Sequence, residues 1–218
     1  MIRDFAFTEF WVIASGLWAT LQLSAIAFLG GGLAGLGVAL ARTAPVKALR
    51  VAAGVFIDFF QGTPMLLQLF LVFYGLPVFG FKVNVWVAAA VGLTLHAGAF
   101  LGEIWRGGIQ AVPRGQSEAA DALGLSYWTR MRHIVLPQAL RVTIAPTMSH
   151  FIGAVKDTSL VAIVNVYDLT GTLRLAMGDP QWQPFFVEMY AMVGAVYLLI
   201  GLSIAQYGRW LDRRHAMR

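Results

Sequence analysis

An uncharged run of 31 residues, from Trp11 to Ala41, is the feature that most limits what this chain can fold into. About 20 consecutive apolar residues in a helix are enough to cross the hydrocarbon core of a bilayer. Because lipid offers no hydrogen-bond partners, the backbone of such a run must satisfy its own N–H and C=O groups, as an α-helix does. The sequence therefore predicts an integral membrane protein.

The composition extends this prediction to the whole chain. Of its 218 residues 58% are hydrophobic and 12% are charged, and the mean hydropathy is +0.69. A soluble domain carries roughly 25% charged residues. The chain has no cysteine, which excludes disulfides and thiol-based sites. In membrane chains basic residues gather in cytoplasmic loops, so the net charge of +5 points to the lipid bilayer, and not to nucleic acid, as a partner.

Five apolar segments predict an all-α fold with five transmembrane helices. They cover about residues 11–41, 51–81, 83–106, 138–167 and 187–208. The second segment contains Asp58 and a break at Gly62 and Pro64. The fourth joins two short apolar runs across Lys156 and Asp157.

The distribution of basic residues predicts which side each loop faces. Of the sixteen lysines and arginines, three lie between the first two apolar segments and four after the fifth. Five more lie in the loop between the third and fourth segments or at the segment ends that face it. Basic loops face the cytoplasm, so we expect the N-terminus outside and the C-terminus inside. The first residues, MIRDFAFTEF, carry two acidic side chains and precede an apolar run much longer than the about 7–15 residues of a signal peptide. We expect them to be retained in a single domain, 1–218.

Small residues are concentrated in the first and third apolar segments. Gly31 and Gly35 form a GxxxG pair, and the third segment contains Gly92, Gly98 and Gly102. Small residues let helices in lipid approach closely. Two interpretations remain open, namely packing within one chain and contact with a second subunit.

The segment between the third and fourth spans, residues 112–137, predicts two short helices joined by an elbow. Ser117 is expected to cap the first helix, and Gly124 to end it in a left-handed conformation. Ser126 is expected to cap the second, which should end before Pro137 because the residue preceding a proline is biased out of helical geometry. The alanines of the first helix make this elbow thin. It either enters a groove in another protein or lies on the lipid headgroups.

Sequence motifs in this segment resemble a known family. Glu118-Ala119-Ala120, Gly124 and Ile134-x-Leu136-Pro137 resemble the EAA signature of ABC-importer permease subunits. The stretches RGGIQAVPRGQSEAADALGLS, HIVLPQALR, VKDTSLVAIV and QGTPMLLQLFLVFYGLP are similar to the polar amino-acid uptake branch, which carries substrates of the histidine, glutamine, glutamate and arginine type. The resemblance covers about residues 15–210. Gln61 departs from it, because many relatives carry arginine before Gly-Thr-Pro.

The resemblance implies a set of partners and a docking loop. The partners are a cytoplasmic ABC ATPase dimer, a second permease subunit (identical or sibling) and an extracytoplasmic amino-acid-binding protein, in the cytoplasmic (inner) membrane of a bacterium. The ATPase would contact the EAA loop, whose candidate coupling residues are Glu118, Ala119, Ala120, Asp121, Gly124, Leu125, Leu136 and Pro137.

The chain lacks the motif that binds ATP. A P-loop places its lysine after a glycine, whereas the three lysines here follow Val46, Phe81 and Val155. We therefore expect no enzymatic activity and no cofactor in this chain, with ATP and Mg bound by the partner ATPase.

Lys156 and Asp157 are charged residues placed at membrane depth. Lys156 lies 14 residues after Val142, about 21 Å along a helix. Charges at such depth almost always face a cavity or a partner. One hypothesis is that Lys156 attracts the carboxylate of an amino acid and Asp157 its ammonium group. The alternatives are that the pair orients the span, or that the span ends there and the pair is interfacial.

The candidate substrate-binding residues are those polar groups that are expected at membrane depth near the charged pair. They are Lys156, Asp157, Thr158, Ser159, Gln61, Thr63 and Glu103. For Glu103 an ion pair with Arg106, three residues on, is the alternative. His96 and His150 stand without ligand-type neighbours, so no metal site is expected, and no arrangement indicates catalysis.

A second functional class stays open. The chain could be a stand-alone secondary transporter or channel that uses an intramembrane Lys-Asp site. The absence of a visible internal repeat argues against it.

Overall fold

A computed structural model describes residues 7–216, with side-chain environments for residues 13–214. Helices are the regular elements throughout this range, in the order α1 Phe7–Thr43, α2 Lys47–Gly62, α3 Met65–Phe70, α4 Leu76–Val78, α5 Val85–Ala111, α6 Arg114–Ala122, α7 Tyr127–Arg130, α8 Leu136–Asp157, α9 Leu169–Met177 and α10 Phe186–Ala216. Wide π-type turns cover Leu71–Gly75 and Met131–Val135, and 3-10 helices cover Thr158–Val164 and Gln183–Phe185. The predicted all-α class is confirmed.

Three helices are long and apolar enough to cross a membrane, namely α1, α5 and α10. Two further pairs pass the same test only together, because each is bent at a break. The α2–α3 pair bends by 110° and the pair ending in α9 by 43°. By length and composition, the described part of the chain thus has three candidate spans, or up to five if each bent pair counts as one.

The glycines of α1 and α5 face each other within this one chain. A Cβ on Gly31 would lie 2.5 Å from Cβ of Ala97, and one on Gly35 would lie 2.8 Å from Cβ of Leu101. From the other side, a Cβ on Gly98 would lie 2.7 Å from Cβ of Ala34. No side chain larger than hydrogen fits at these positions without a shift, so the small residues bring the α1 and α5 backbones together. The intrachain interpretation of this pattern holds at these positions.

The break between α2 and α3 follows from its sequence. Pro64 pushes the preceding residue into an extended conformation, and Thr63 adopts φ −115° and ψ 145°. The helix therefore stops at Gly62 and restarts at Met65. Gln68, buried on α3, bonds back across this break.

Two apolar clusters hold the broken segments against the long helices. The first joins Leu23 of α1, Leu69 of α3, Leu93 of α5, and Val161 and Val164 of the 3-10 segment. The second joins Ile13 of α1, Leu169 and Leu173 of α9, and Met189 and Val193 of α10. α1 contributes residues to both clusters, so both bent segments pack against it.

We expect Gly35→Leu to destabilise the fold, because its Cβ would lie 2.8 Å from Leu101 Cβ and 3.1 Å from the Gly102 nitrogen. Overpacking of this kind costs about 1–3 kcal/mol or more. The matched control is Gly37→Leu on the same helix, where nothing lies within 4 Å of the added Cβ. Thermal unfolding of the detergent-purified chain measures both. Equal unfolding midpoints for the two variants would contradict the α1–α5 packing described here.

Candidate substrate site and coupling loop

Lys156 and Asp157 are the last residues of α8, where the α-helix gives way to the 3-10 segment Thr158–Val164. The two side chains reach different surroundings. Lys156 is exposed and lines a cavity, whereas Asp157 faces His96 on α5, with 4.0 Å between Asp157 Oδ2 and His96 Nε2. The charges therefore do not lie on one face of the helix.

The cavity beside Lys156 has a volume of about 640 Å³. It lies between α8, α9 and α10, and most of its wall is apolar. Its polar lining consists of Lys156, Ser159, Thr170, Tyr190 and Tyr197. Small-molecule sites typically have volumes of about 300–1,000 Å³ with a few convergent polar groups on an apolar wall, and this cavity has both properties.

Two of the other predicted residues, Thr158 and Thr63, are held by hydrogen bonds. Thr158 is fully buried and its hydroxyl donates to the Val155 carbonyl at 2.8 Å. Thr63 donates to the Phe59 carbonyl at 2.7 Å. Gln61 is exposed at the end of α2. Their role in substrate binding stays a prediction.

A chain of polar contacts connects the α2–α3 break to Asp157. The Gln68 amide nitrogen donates to the Thr63 hydroxyl at 2.9 Å, and its oxygen lies 3.0 Å from Nδ1 of His96. Nε2 of the same imidazole faces Asp157. The α2–α3 break, α5 and the end of α8 thus place polar side chains next to one another.

Glu103 is bound to Arg106 on the same helix. Nε of Arg106 donates to one carboxylate oxygen at 2.7 Å, and its NH2 group donates to the other. This geometry matches the ion-pair interpretation. The same arginine also reaches Gln110 one turn further on.

The first helix of the loop begins earlier than predicted. The expected cap at Ser117 is wrong, because α6 already starts at Arg114 and Ser117 lies within it. Pro113, with φ −55° and ψ 134°, supplies the extended residue that precedes the helix. Proline needs no N–H partner, so a helix can begin directly after it.

The elbow itself has the predicted conformation. Gly124 has φ +69°, which confirms the left-handed position. Its N–H donates to the Asp121 carbonyl at 2.9 Å, and the Leu125 N–H donates to the Ala120 carbonyl at 3.1 Å. This pair of bonds is the Schellman arrangement that terminates helices at glycine.

The second helix is capped as predicted but does not end where expected. The Ser126 hydroxyl accepts a hydrogen bond from the Thr129 N–H at 3.3 Å, which confirms the cap. The expected break before Pro137 is wrong, because Leu136 is helical with φ −61° and ψ −42° and α8 starts there. The wide turn Met131–Val135 precedes the proline, and such turns rearrange the helix ladder locally.

The elbow is braced from inside and exposes a defined surface. Arg130 forms an ion pair with Asp121 and lies 5.6 Å from the centre of the Tyr127 ring. Ala120 is buried, at 1% exposure. The exposed residues of the elbow include Glu118, Ala119, Leu123 and Trp128, with exposures of 77% for Leu123 and 72% for Trp128. Of the remaining predicted residues, Leu125 and Leu136 are partly buried and Pro137 is exposed.

Sequence reasoning missed several residues that organise this region. Asp168 is fully buried, accepts from the Gly171 N–H at 2.8 Å and from the Tyr197 hydroxyl at 2.9 Å, and so caps α9. Thr20 of α1 accepts from the Leu169 N–H at 3.0 Å. An Asp before an apolar helix is a recognisable cap signal; the tertiary contacts of Gln68, His96 and Tyr197 have no local signal.

No metal site is formed by the residues that the structure describes. In residues 7–216 no group of three or more His, Asp or Glu side chains is placed so that it could hold an ion.

Known proteins resemble this chain in sequence and in fold. An inner membrane amino-acid ABC transporter permease protein, YhdY of Escherichia coli, is 34% identical over 91% of this chain, which spans only 55% of that relative's length. A probable amino-acid ABC transporter permease protein, YckA of Bacillus subtilis, is 32% identical over 97% of this chain and 92% of its own. A solved structure described as an amino acid ABC transporter with histidines superposes with a TM-score of 0.87 and 31% identity, covering 98% of this chain and 100% of that one.

The family described as binding-protein-dependent transport system inner membrane component matches residues 31–216. This range includes the elbow, both bends and the cavity beside Lys156. The chain therefore belongs to the family of binding-protein-dependent transport system inner membrane components.

Proposed function

We propose that this chain is the membrane-spanning permease subunit of an ATP-driven ABC importer for polar amino acids. The observation that carries the proposal is the course of one element. From the exposed elbow around Gly124 the chain runs through the wide turn Met131–Val135 directly into α8, which ends at Lys156 and Asp157. The 22 residues of α8 span about 33 Å. A partner that moves the elbow would thus move the charged pair.

The substrate is an α-amino acid zwitterion in this proposal. Lys156 attracts its carboxylate and Asp157 its ammonium group, with Ser159 and Thr63 near the same level. The different directions of the two charges are compatible with one ligand, because the lysine ammonium sits on a flexible four-carbon stem. The cavity beside Lys156, about 640 Å³ in volume, supplies the space for the carboxylate end of the ligand, while Asp157 faces His96 outside this lining.

The force comes from a partner chain. A cytoplasmic ABC ATPase dimer binds ATP and Mg and contacts the exposed side of the elbow, including Glu118 and Leu123. Two permease subunits, identical or sibling, form the path, and an external binding protein delivers the amino acid. ATP can shift the equilibrium between the outward- and inward-facing states only if it binds one of the two states more tightly than the other.

The proposed topology has five spans with the N-terminus outside and the C-terminus inside a bacterial cytoplasmic membrane. Each bent pair then counts as one span, as its combined length and apolarity allow. The elbow, together with the arginines around it, lies on the cytoplasmic side.

Ligand-dependent ATP hydrolysis tests the function. We expect the complex reconstituted in liposomes to hydrolyse ATP faster when the binding protein carries one of L-histidine, L-glutamine, L-glutamate or L-arginine, and to accumulate that amino acid. Uptake by the purified permease chain alone would instead identify a stand-alone carrier. No stimulation and no uptake across the panel would refute the proposed substrate class.

Lys156→Ala and Asp157→Ala are each expected to lower uptake at least about tenfold, since each removes one partner of a charged ligand group. Lys82→Ala is the matched control, an exposed lysine in the turn before α5. Uptake and stimulated ATP hydrolysis are measured at equal amounts of assembled complex. Wild-type values for both site variants would show that the pair only orients the helix.

The absence of cysteine makes topology measurable with single introduced thiols. We expect Glu118→Cys to resist a membrane-impermeant maleimide in spheroplasts and to react in inside-out vesicles stripped of the ATPase. Adding the ATPase back should protect it. Asp179→Cys, on the other side in the proposed topology, should react in spheroplasts. Labelling of position 118 from outside, or no protection by the ATPase, would contradict the orientation and the coupling contact.

A further inference from the structure

The orientation of the buried Gln68 amide is fixed by its neighbours. Its nitrogen lies 2.8 Å from the Phe60 carbonyl, 2.9 Å from the Thr63 carbonyl and 2.9 Å from the Thr63 hydroxyl. Carbonyl oxygens only accept hydrogen bonds, so the amide must present its NH2 group there. The amide oxygen then points to Nδ1 of His96, 3.0 Å away.

This orientation determines which nitrogen of His96 carries a proton. Since the Gln68 oxygen can only accept, Nδ1 of His96 donates to it. In a neutral imidazole the second nitrogen then has a lone pair and accepts. That second nitrogen, Nε2, faces Oδ2 of Asp157 at 4.0 Å. With a neutral imidazole, two acceptor atoms therefore face each other across this distance.

A nitrogen with several N–H groups fits this gap. Placed about 2.9 Å from both atoms, it sees the two acceptors about 90° apart, which suits two N–H bonds of a tetrahedral ammonium group. The carboxylate supplies the countercharge. Access comes from the Asp157 side, whose side chain is 32% exposed, whereas that of His96 is 13% exposed.

The imidazole is held firmly enough to act as a recognition group. Beyond its bond to Gln68, its ring lies 4.8 Å from the Phe100 ring. The Phe100 ring in turn stacks on His150, with 5.2 Å between the ring centres. Gln68 is itself 2% exposed and tied to the α2–α3 break, so the acceptor direction of His96 is set by the fold.

We propose that His96 Nε2 and Asp157 Oδ2 together form the seat for the α-ammonium group of the substrate, with Gln68 as the positioning residue that fixes the imidazole tautomer. The inference rests on the proposed function, because it assigns one subsite of the amino-acid site. It adds His96 to a site for which the sequence had named Glu103 as the candidate on α5.

Equilibrium binding to the purified permease–ATPase complex, without the binding protein, tests the seat. The probe is L-glutamine, compared with glutaramate, which lacks the α-amino group. If L-histidine stimulates ATP hydrolysis more strongly than L-glutamine does, the compared ligands are L-histidine and imidazolepropionate, which lacks the α-amino group. We expect the wild-type complex to bind the amino acid roughly tenfold or more tightly than the analogue, as for a hydrogen-bonded charged group.

His96→Phe should abolish this preference by weakening the amino acid and not the analogue. His150→Phe is the matched control: the same residue type stacked on the same Phe100 ring, whose Nε2 has no hydrogen-bond partner within the described part of the chain. It should retain the wild-type ratio. Recovery of ATPase subunits with the permease reports assembly of each variant.

Two polar substitutions separate recognition from mere packing. The amide of His96→Asn can still donate to Gln68 but does not reach Asp157, whereas that of His96→Gln reaches the Nε2 position. If His96 recognises the ammonium group, the glutamine variant discriminates against the analogue better than the asparagine variant. If it only holds Gln68, the order reverses and the inference is overturned. This comparison decides the matter even where His96→Phe fails to assemble.

The outcomes distinguish a failure of the proposed import function from a failure of the proposed ammonium site at His96 and Asp157. A wild-type complex that binds none of the amino acids refutes the proposed function. A wild-type complex that discriminates, with an unchanged ratio in His96→Phe, leaves the function standing and overturns the seat. Tighter binding of the amino acid in His96→Phe would mean that the imidazole is charged and closes the gap as an ion pair, which also overturns it.

Discussion

Backbone hydrogen bonding away from water is the constraint on which the rest of this structure depends. A break in a helix at membrane depth frees carbonyl and N–H groups, each of which costs several kcal/mol if it stays unpaired in lipid. Buried side chains take up these groups at both bends. Gln68 donates to the Phe60 and Thr63 carbonyls at the α2–α3 break. Before α9, Asp168 accepts from the Gly171 N–H and Thr20 from the Leu169 N–H.

The same breaks bring polar groups into the interior. A continuous apolar helix in place of α2–α3 would offer no reason to bury Gln68, and without Gln68 the imidazole of His96 would have no fixed direction toward Asp157. Likewise the change from α8 to a 3-10 segment occurs directly after Asp157. Gln68 therefore both bonds the carbonyls freed at the break and orients His96 in the candidate site. Substitutions at Gln68 are expected to affect both stability and binding.

Sequence patterns determined the parts of this fold that depend on local rules. The presence of α1 and α10 follows from apolar runs, and the left-handed Gly124 and the Ser126 cap follow from turn chemistry. These local rules gave wrong helix ends where neighbouring parts of the structure determine them. Pro113, rather than Ser117, sets the start of α6, and the wide turn before Leu136 keeps Pro137 inside a helix. The Gln68–His96 contact joins residues 28 positions apart, for which periodicity gives no signal, and His96 alone looked like an isolated histidine.

α8 connects the elbow to the candidate site, because it begins at Leu136 and ends at Asp157. The Schellman bonds at Gly124 and the Asp121–Arg130 ion pair link the two helices of the elbow, so in the proposed function a displacement at Glu118 or Leu123 would also displace the second helix. The chain then reaches Asp157 without a flexible loop. Asp157, however, faces a histidine held by α3 and α5, elements that the elbow does not include. Movement of α8 relative to α5 would change the 4.0 Å separation of the two acceptors, and with it the affinity for an ammonium group, which is the difference between states that coupled transport requires.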